Sequence, residues 1–100
     1  MSRLSGTLSR LKRERKKSLV TFLMAGDPNL DQALDLMHVM AKSGSDVIEL
    51  GVPAPNPEAE GPVIRRAHER ALKKNTSLNS CFDLVRSFRE INVDTPIVLM

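Results

Sequence analysis

The segment Ile48–Pro62 sets three carboxylates, Glu49, Glu58 and Glu60, on an apolar run and the four-proline loop that follows it. A charge inside a buried strand costs several kcal/mol unless it is paired or neutralised. A rigid acidic loop after such a strand is where parallel α/β folds place their chemistry. Glu49 therefore has two readings. It is a strand-end carboxylate that faces water or pairs with a lysine or arginine, or it is an acid–base group aimed into a barrel mouth. Glu60, just before Gly61-Pro62, complements the dipole of a helix start, or shares a cavity with Glu49 as the second member of an acid–base pair. Spacing leaves both pairs of readings open.

Other reactive side chains give weaker signals. His38 lies among Met37, Val39 and Met40 and reads as packing or as a satisfied polar group rather than a ligand. His68 sits in a charged run and reads as solvated. Cys81 falls on an apolar helix stripe and behaves as a small hydrophobe. No His/Cys pair has metal-ligand spacing, so no metal is expected.

These groups need elements to hold them. Leu4, Leu8 and Leu11 mark an amphipathic helix. Leu19–Ala25 reads as a buried strand stopped by Gly26-Asp27-Pro28. Asn29 or Asp31 caps a helix carrying Leu30, Ala33, Leu34, Met37, Val39 and Met40, ended by Gly44. Asp46–Gly51 is the second strand. Pro62 opens a helix continued by Val63, Ile64, Ala67, Ala71 and Leu72. Thr76 or Ser77 caps another, with Leu78, Cys81, Phe82, Leu84, Val85, Phe88 and Ile91 inward. Pro96–Met100 starts a third strand. Strands alternating with helices imply parallel pairing through right-handed crossovers. An apolar strand at Ile97–Met100, with nothing after it to cover it, is expected in a portion of a larger barrel or open sheet.

One hundred residues bound the chain to one small domain. The single cysteine excludes an intramolecular disulfide and suits a reducing compartment, with the cytoplasm as the default. No run approaches the ~20 apolar residues of a membrane span. Residues 1–17 hold seven bases and one acid, whereas the remaining 83 hold eight bases and eleven acids, so the net charge of +3 comes from the N-terminal segment. That cluster could bind anions or nucleic acid. It lacks the interleaved aromatics that single-strand stacking wants and reads better as a solvated helix face, so neither nucleic acid nor membrane is an expected partner.

Phe22 with Ala25-Gly26-Asp27-Pro28, then Asp46 to Pro53, then Ala59, Gly61-Pro62, Val63-Ile64 and Arg70-Ala71-Leu72 resemble the tryptophan synthase alpha subunit, nearly throughout the chain. The resemblance implies an α/β fold, a partial (β/α)8 TIM barrel of parallel strands, with residues 1–100 as a single incomplete domain at the N-terminal part of the barrel. It implies retro-aldol cleavage of indole-3-glycerol phosphate to indole and glyceraldehyde 3-phosphate, without metal or cofactor, and a pyridoxal-phosphate-dependent beta subunit as partner in an alpha2beta2 assembly. By position, Glu49 matches the carboxylate that handles protons at the indole carbon and glycerol hydroxyl. Glu60 takes the acid position that stabilises charge on the indole nitrogen. Phe22 and Met100 line the indole pocket, Pro53, Asn56, Pro57 and Glu58 belong to the loop that touches the beta subunit, and the N-terminal helix closes the bottom of the barrel.

The chain departs from the family in that loop. Where the family usually reads Phe-Ser-Asp-Pro-Leu-Ala-Asp, this sequence has Ala54 to Glu60. Glu60 replaces an aspartate, and the extra methylene moves the carboxylate by about 1 Å, a displacement that can cost roughly 10²-fold. Asn56 removes a charge, Ala54 and Glu58 remove apolar contacts, and Met24 replaces a threonine. These changes also fit a non-catalytic barrel remnant, or an interaction subunit with an altered partner-contacting loop. Because phosphate grips in this fold come from late strands, the 100-residue chain alone is expected not to turn over indole-3-glycerol phosphate; indole released by the purified chain would contradict this.

Overall fold

The strand Val47–Gly51 (β2) lies at the centre of a parallel three-stranded sheet, between Val20–Met24 (β1) and Ile97–Leu99 (β3). Cα register pairs Phe22 with Glu49 and Glu49 with Val98. The computed structural model describes residues 2–55 and 60–100. Side chains alternate along a strand. Ile48 and Leu50, both fully buried, point into the main core with Ala33, Met37, Cys81 and Phe88. Glu49 therefore takes the opposite face.

The covering layer comes from the crossover helices Leu30–Lys42 (α2) and Leu78–Arg89 (α4), which pack on each other and on the sheet. Asn29 caps α2 by accepting from the Gln32 N–H, and Ser77 caps α4 in a reciprocal box with Ser80. Cys81, Leu84, Val85 and Phe88 form the inward stripe of α4. Leu78, Phe82 and Ile91, expected inward, are exposed. Leu78 and Phe82 lie beside the stripe, and Ile91 follows the last helical turn. His38 packs as expected, stacking on Phe88 at 4.8 Å between ring centroids.

The N-terminal helix Arg3–Arg13 (α1) buries Leu11 and leaves Leu8 exposed. It forms a groove of about 490 Å³ with Ser45, Asp46 and Pro96, at the entry ends of β2 and β3. Arg3 Nε donates to the Val93 carbonyl there at 2.6 Å. The helix Pro62–Lys73 (α3) starts on Pro62 behind the N-cap Gly61 and lays Ile64, Ala67 and Ala71 on Met24. β1 is less buried than its apolar run predicts: Val20 and Phe22 are exposed, because they lie on the face turned away from the helical layer. Among the described residues no helix is long and apolar enough to cross a membrane.

Burial pushes the Cys81 thiol above its ordinary range. Its folded-state value is raised, so the associated stability is fully present below the unfolded thiol pKa and is lost as pH climbs through the folded one. The urea midpoint is expected to fall as pH rises above the ordinary thiol value of about 8.5, and Cys81→Ala to remove part of that fall. A midpoint whose alkaline slope is the same with and without the thiol would contradict the assignment.

Candidate functional site

Glu49 sits mid-strand, half-buried, on the sheet face away from α2 and α4. Its in-register neighbours are Phe22 on one side and Val98 on the other. Among the described residues no hydrogen bond or ion pair holds its carboxylate, so β2 alone aims it. Phe22 leans toward the exit end of the sheet: a Cβ at Gly51 would lie 2.8 Å from its ring tip and 3.0 Å from Met24 Sδ. The missing side chain at Gly51 thus makes room for the ring. Met100 is anchored beside the same glycine, since its N–H donates to the Leu50 carbonyl at 3.0 Å and its carbonyl accepts from Val52 at 2.8 Å. Phe22, Glu49 and Met100 therefore share one sheet face by register, with Phe22 and Met100 both flanking Gly51. Arg89, reaching the Thr95 carbonyl at 2.7 Å, ties the end of α4 to the start of β3.

Glu60 is placed differently. It lies just ahead of α3, and its Oε2 is 2.6 Å from His68 Nε2. The other imidazole nitrogen, Nδ1, accepts the Ala54 N–H at 2.9 Å. His68 is only 5% exposed, which corrects the solvated reading. The physical reason is its helical position: Ile64, His68 and Ala71 are spaced i, i+4, i+7 on the buried stripe, and the charged neighbours Arg65, Arg66 and Glu69 mask it in the sequence. Among the described residues no hydrogen bond joins Glu49 to Glu60. Pro53 is half-buried at the start of the loop. Asn56, Pro57 and Glu58, the rest of the expected partner-contacting set, lie outside the described residues.

A second polar tie fixes α3 to β1. Arg70 grips Asp27 through two parallel hydrogen bonds, Nε to Oδ1 at 2.8 Å and an Nη nitrogen to Oδ2 at 2.9 Å. The bond to Asp27 pushes the Arg70 guanidinium further above its ordinary value. This pair walls one side of a cavity of about 210 Å³, whose apolar side comes from Phe22, Met24, Ile64 and Ala67. Phe22 lines that cavity, while Glu49, Glu60 and Met100 do not. Among the described residues no three metal-binding side chains cluster. In the sequence Asp27 reads as part of the stop after the first strand and Arg70 enters only through the resemblance, and their separation of 43 positions gives no sign of the pair.

A parallel sheet whose strands are joined through helices, with a carboxylate on the face opposite those helices, fits a portion of a (β/α)8 barrel. Residues 8–100 match the family profile described as tryptophan synthase alpha chain, and the chain belongs to that family. It is 52% identical to the tryptophan synthase alpha chain of Leptothrix cholodnii over its whole length, which is 37% of that relative. The structure resembles the tryptophan synthase subunit alpha of Legionella pneumophila str. Paris at a TM-score of 0.98 and 47% identity, covering all of this chain and 38% of that one. It also resembles a chain of the tryptophan synthase a2b2 complex of Pyrococcus furiosus, at a TM-score of 0.77 and 40% identity over 83% of this chain and 33% of that one. The chain thus spans 33–38% of the length of these relatives.

Gly26, which leads into Asp27, has φ +86°, and a Cβ there would overlap the Thr76 side chain. Gly26→Ala combines left-handed strain with that overlap, and is expected to cost about 2 kcal/mol or more in urea unfolding. A loss under about 0.5 kcal/mol would mean that the turn is not held as described.

Proposed function

We propose that this chain supplies the β1–β3 part, at the N-terminal end, of a barrel lyase that cleaves indole-3-glycerol phosphate to indole and glyceraldehyde 3-phosphate. The observation that carries the reading is the placement of Glu49: half-buried, unpaired among the described residues, and set between Phe22 and Val98 on the face turned from the helices. In the reaction the glycerol hydroxyl loses its proton and its carbon becomes an aldehyde. The bond from that carbon to the indole ring breaks, and the ring carbon takes up a proton. Glu49 handles both protons, and Glu60 accepts the ring N–H as positive charge builds on the indole. Phe22 and Met100 flank the ring. No metal or cofactor takes part.

Membership in the family and the likeness to a chain of an a2b2 complex support a beta subunit as the partner. Pro53, Asn56, Pro57 and Glu58 would face it. The reading implies a cytoplasmic enzyme. The departures at Ala54, Asn56 and Glu58 favour the second reading, a barrel remnant that keeps the fold without the catalysis.

The two readings separate in a graft that joins residues 1–100 of this chain to the remaining length of the Leptothrix cholodnii relative. The graft is expected to release indole from indole-3-glycerol phosphate. Glu49→Gln in it, which keeps shape and removes the proton-transfer group, should lower kcat by about 10² or more. An inactive but folded graft supports the remnant, and a near-normal rate for Glu49→Gln removes Glu49 from the chemistry.

A further inference from the structure

His68 has no part in the proton transfers assigned to Glu49 and Glu60, yet it is almost fully buried and both its ring nitrogens are engaged. The Ala54 N–H can only donate, so Nδ1 receives it as a bare lone pair. The ring proton is therefore on Nε2, directed at Glu60 Oε2 2.6 Å away. The contact is a hydrogen bond from an imidazole N–H to a carboxylate, with the tautomer chosen by the main chain. Its neighbours Ala67 and Ala71 on the same helix are buried as well. One rigid group so spans the two ends of the loop, Ala54 where it leaves the sheet and Glu60 where it enters α3.

We propose that His68 is the positioning residue of the Glu60 carboxylate: its Nε2–H holds Oε2 and so presents Oε1 to the ring N–H of an indole-type substrate. This rests on the role proposed for Glu60. A histidine that served structure alone would act through its bond to Ala54 instead. Two conservative variants separate the bonds, because a glutamine amide N–H₂ reaches the place of Nε2 and an asparagine carbonyl takes the place of Nδ1.

The test uses the graft onto the Leptothrix cholodnii relative, with thermal melting as the check that each variant folds. With indole-3-glycerol phosphate, His68→Gln is expected to keep kcat within about threefold of the graft, and His68→Asn to lose roughly tenfold or more in kcat with little change in KM. The reverse order, equal losses in both, or no loss in either overturns the proposal. Long-range ¹H–¹⁵N correlation on the unaltered graft is expected to find the Nε2–H tautomer, and this needs neither a variant nor activity. An Nδ1–H ring, or one averaging between tautomers, overturns the proposal equally. Glu60→Gln serves as the control. If it leaves kcat unchanged, the role of Glu60 fails, and the tautomer measurement still decides whether His68 holds it.

Discussion

The pleat of β2 is the constraint on which the site depends. In this strand Ile48 and Leu50 are completely buried against α2 and α4, and Glu49 between them faces the other way. Two parallel ladders, to β1 and to β3, lock that alternation from both sides. A slip of one residue would turn the carboxylate into a core lined by Met37 and Phe88 and bring Ile48 and Leu50 out of it. That would cost several kcal/mol for the charge alone, before any loss of apolar burial. Packing of the helices thus places the candidate catalytic group without touching it.

The same constraint explains which parts of the molecule were legible in the sequence. Strand positions, helix order and caps follow from local rules: Gly26-Asp27-Pro28 stops β1, Asn29 and Ser77 cap their helices, and Pro62 opens α3. Glu49 was legible because a charge in an apolar strand violates the local pattern. His68 was not, because a run of charged neighbours hides an i, i+4, i+7 stripe and because its partners, Ala54 and Glu60, lie 14 and 8 positions away. Phe82 and Leu78 misled for the opposite reason. Apolar character alone cannot say which side of a helix is covered when the inward stripe is as narrow as Cys81, Leu84, Val85 and Phe88.

Polar ties join what the ladders leave apart. α3 carries no strand of its own, and its apolar contact with β1 is small: Ile64, Ala67 and Ala71 on Met24. The bidentate Arg70–Asp27 pair adds direction to that contact, because a planar fork fits a carboxylate in one orientation. The pair is partly open to solvent, so its value lies in fixing the angle of α3 more than in stabilising it. His68, between Ala67 and Arg70 in sequence, inherits its place from both.

The two candidate carboxylates are consequently held by different physics. Glu49 is fixed by main-chain register, and moving its backbone means breaking ladders on both flanks of β2. Glu60 is outside any strand or helix, and among the described residues a single side-chain hydrogen bond restrains it, worth on the order of 1–2 kcal/mol for a partly exposed charged acceptor. Such a bond can be exchanged for another without disturbing the fold. A group that must transfer protons over a fixed distance is best mounted on the sheet, and one that answers a ring N–H as substrate arrives can sit on the more adjustable mount. Glu60, where the family resemblance implies an aspartate, falls on the adjustable side. A carboxylate tied at its tip by an imidazole is held where the backbone alone does not dictate its place, whereas Glu49 has no such partner among the described residues and depends on its strand register.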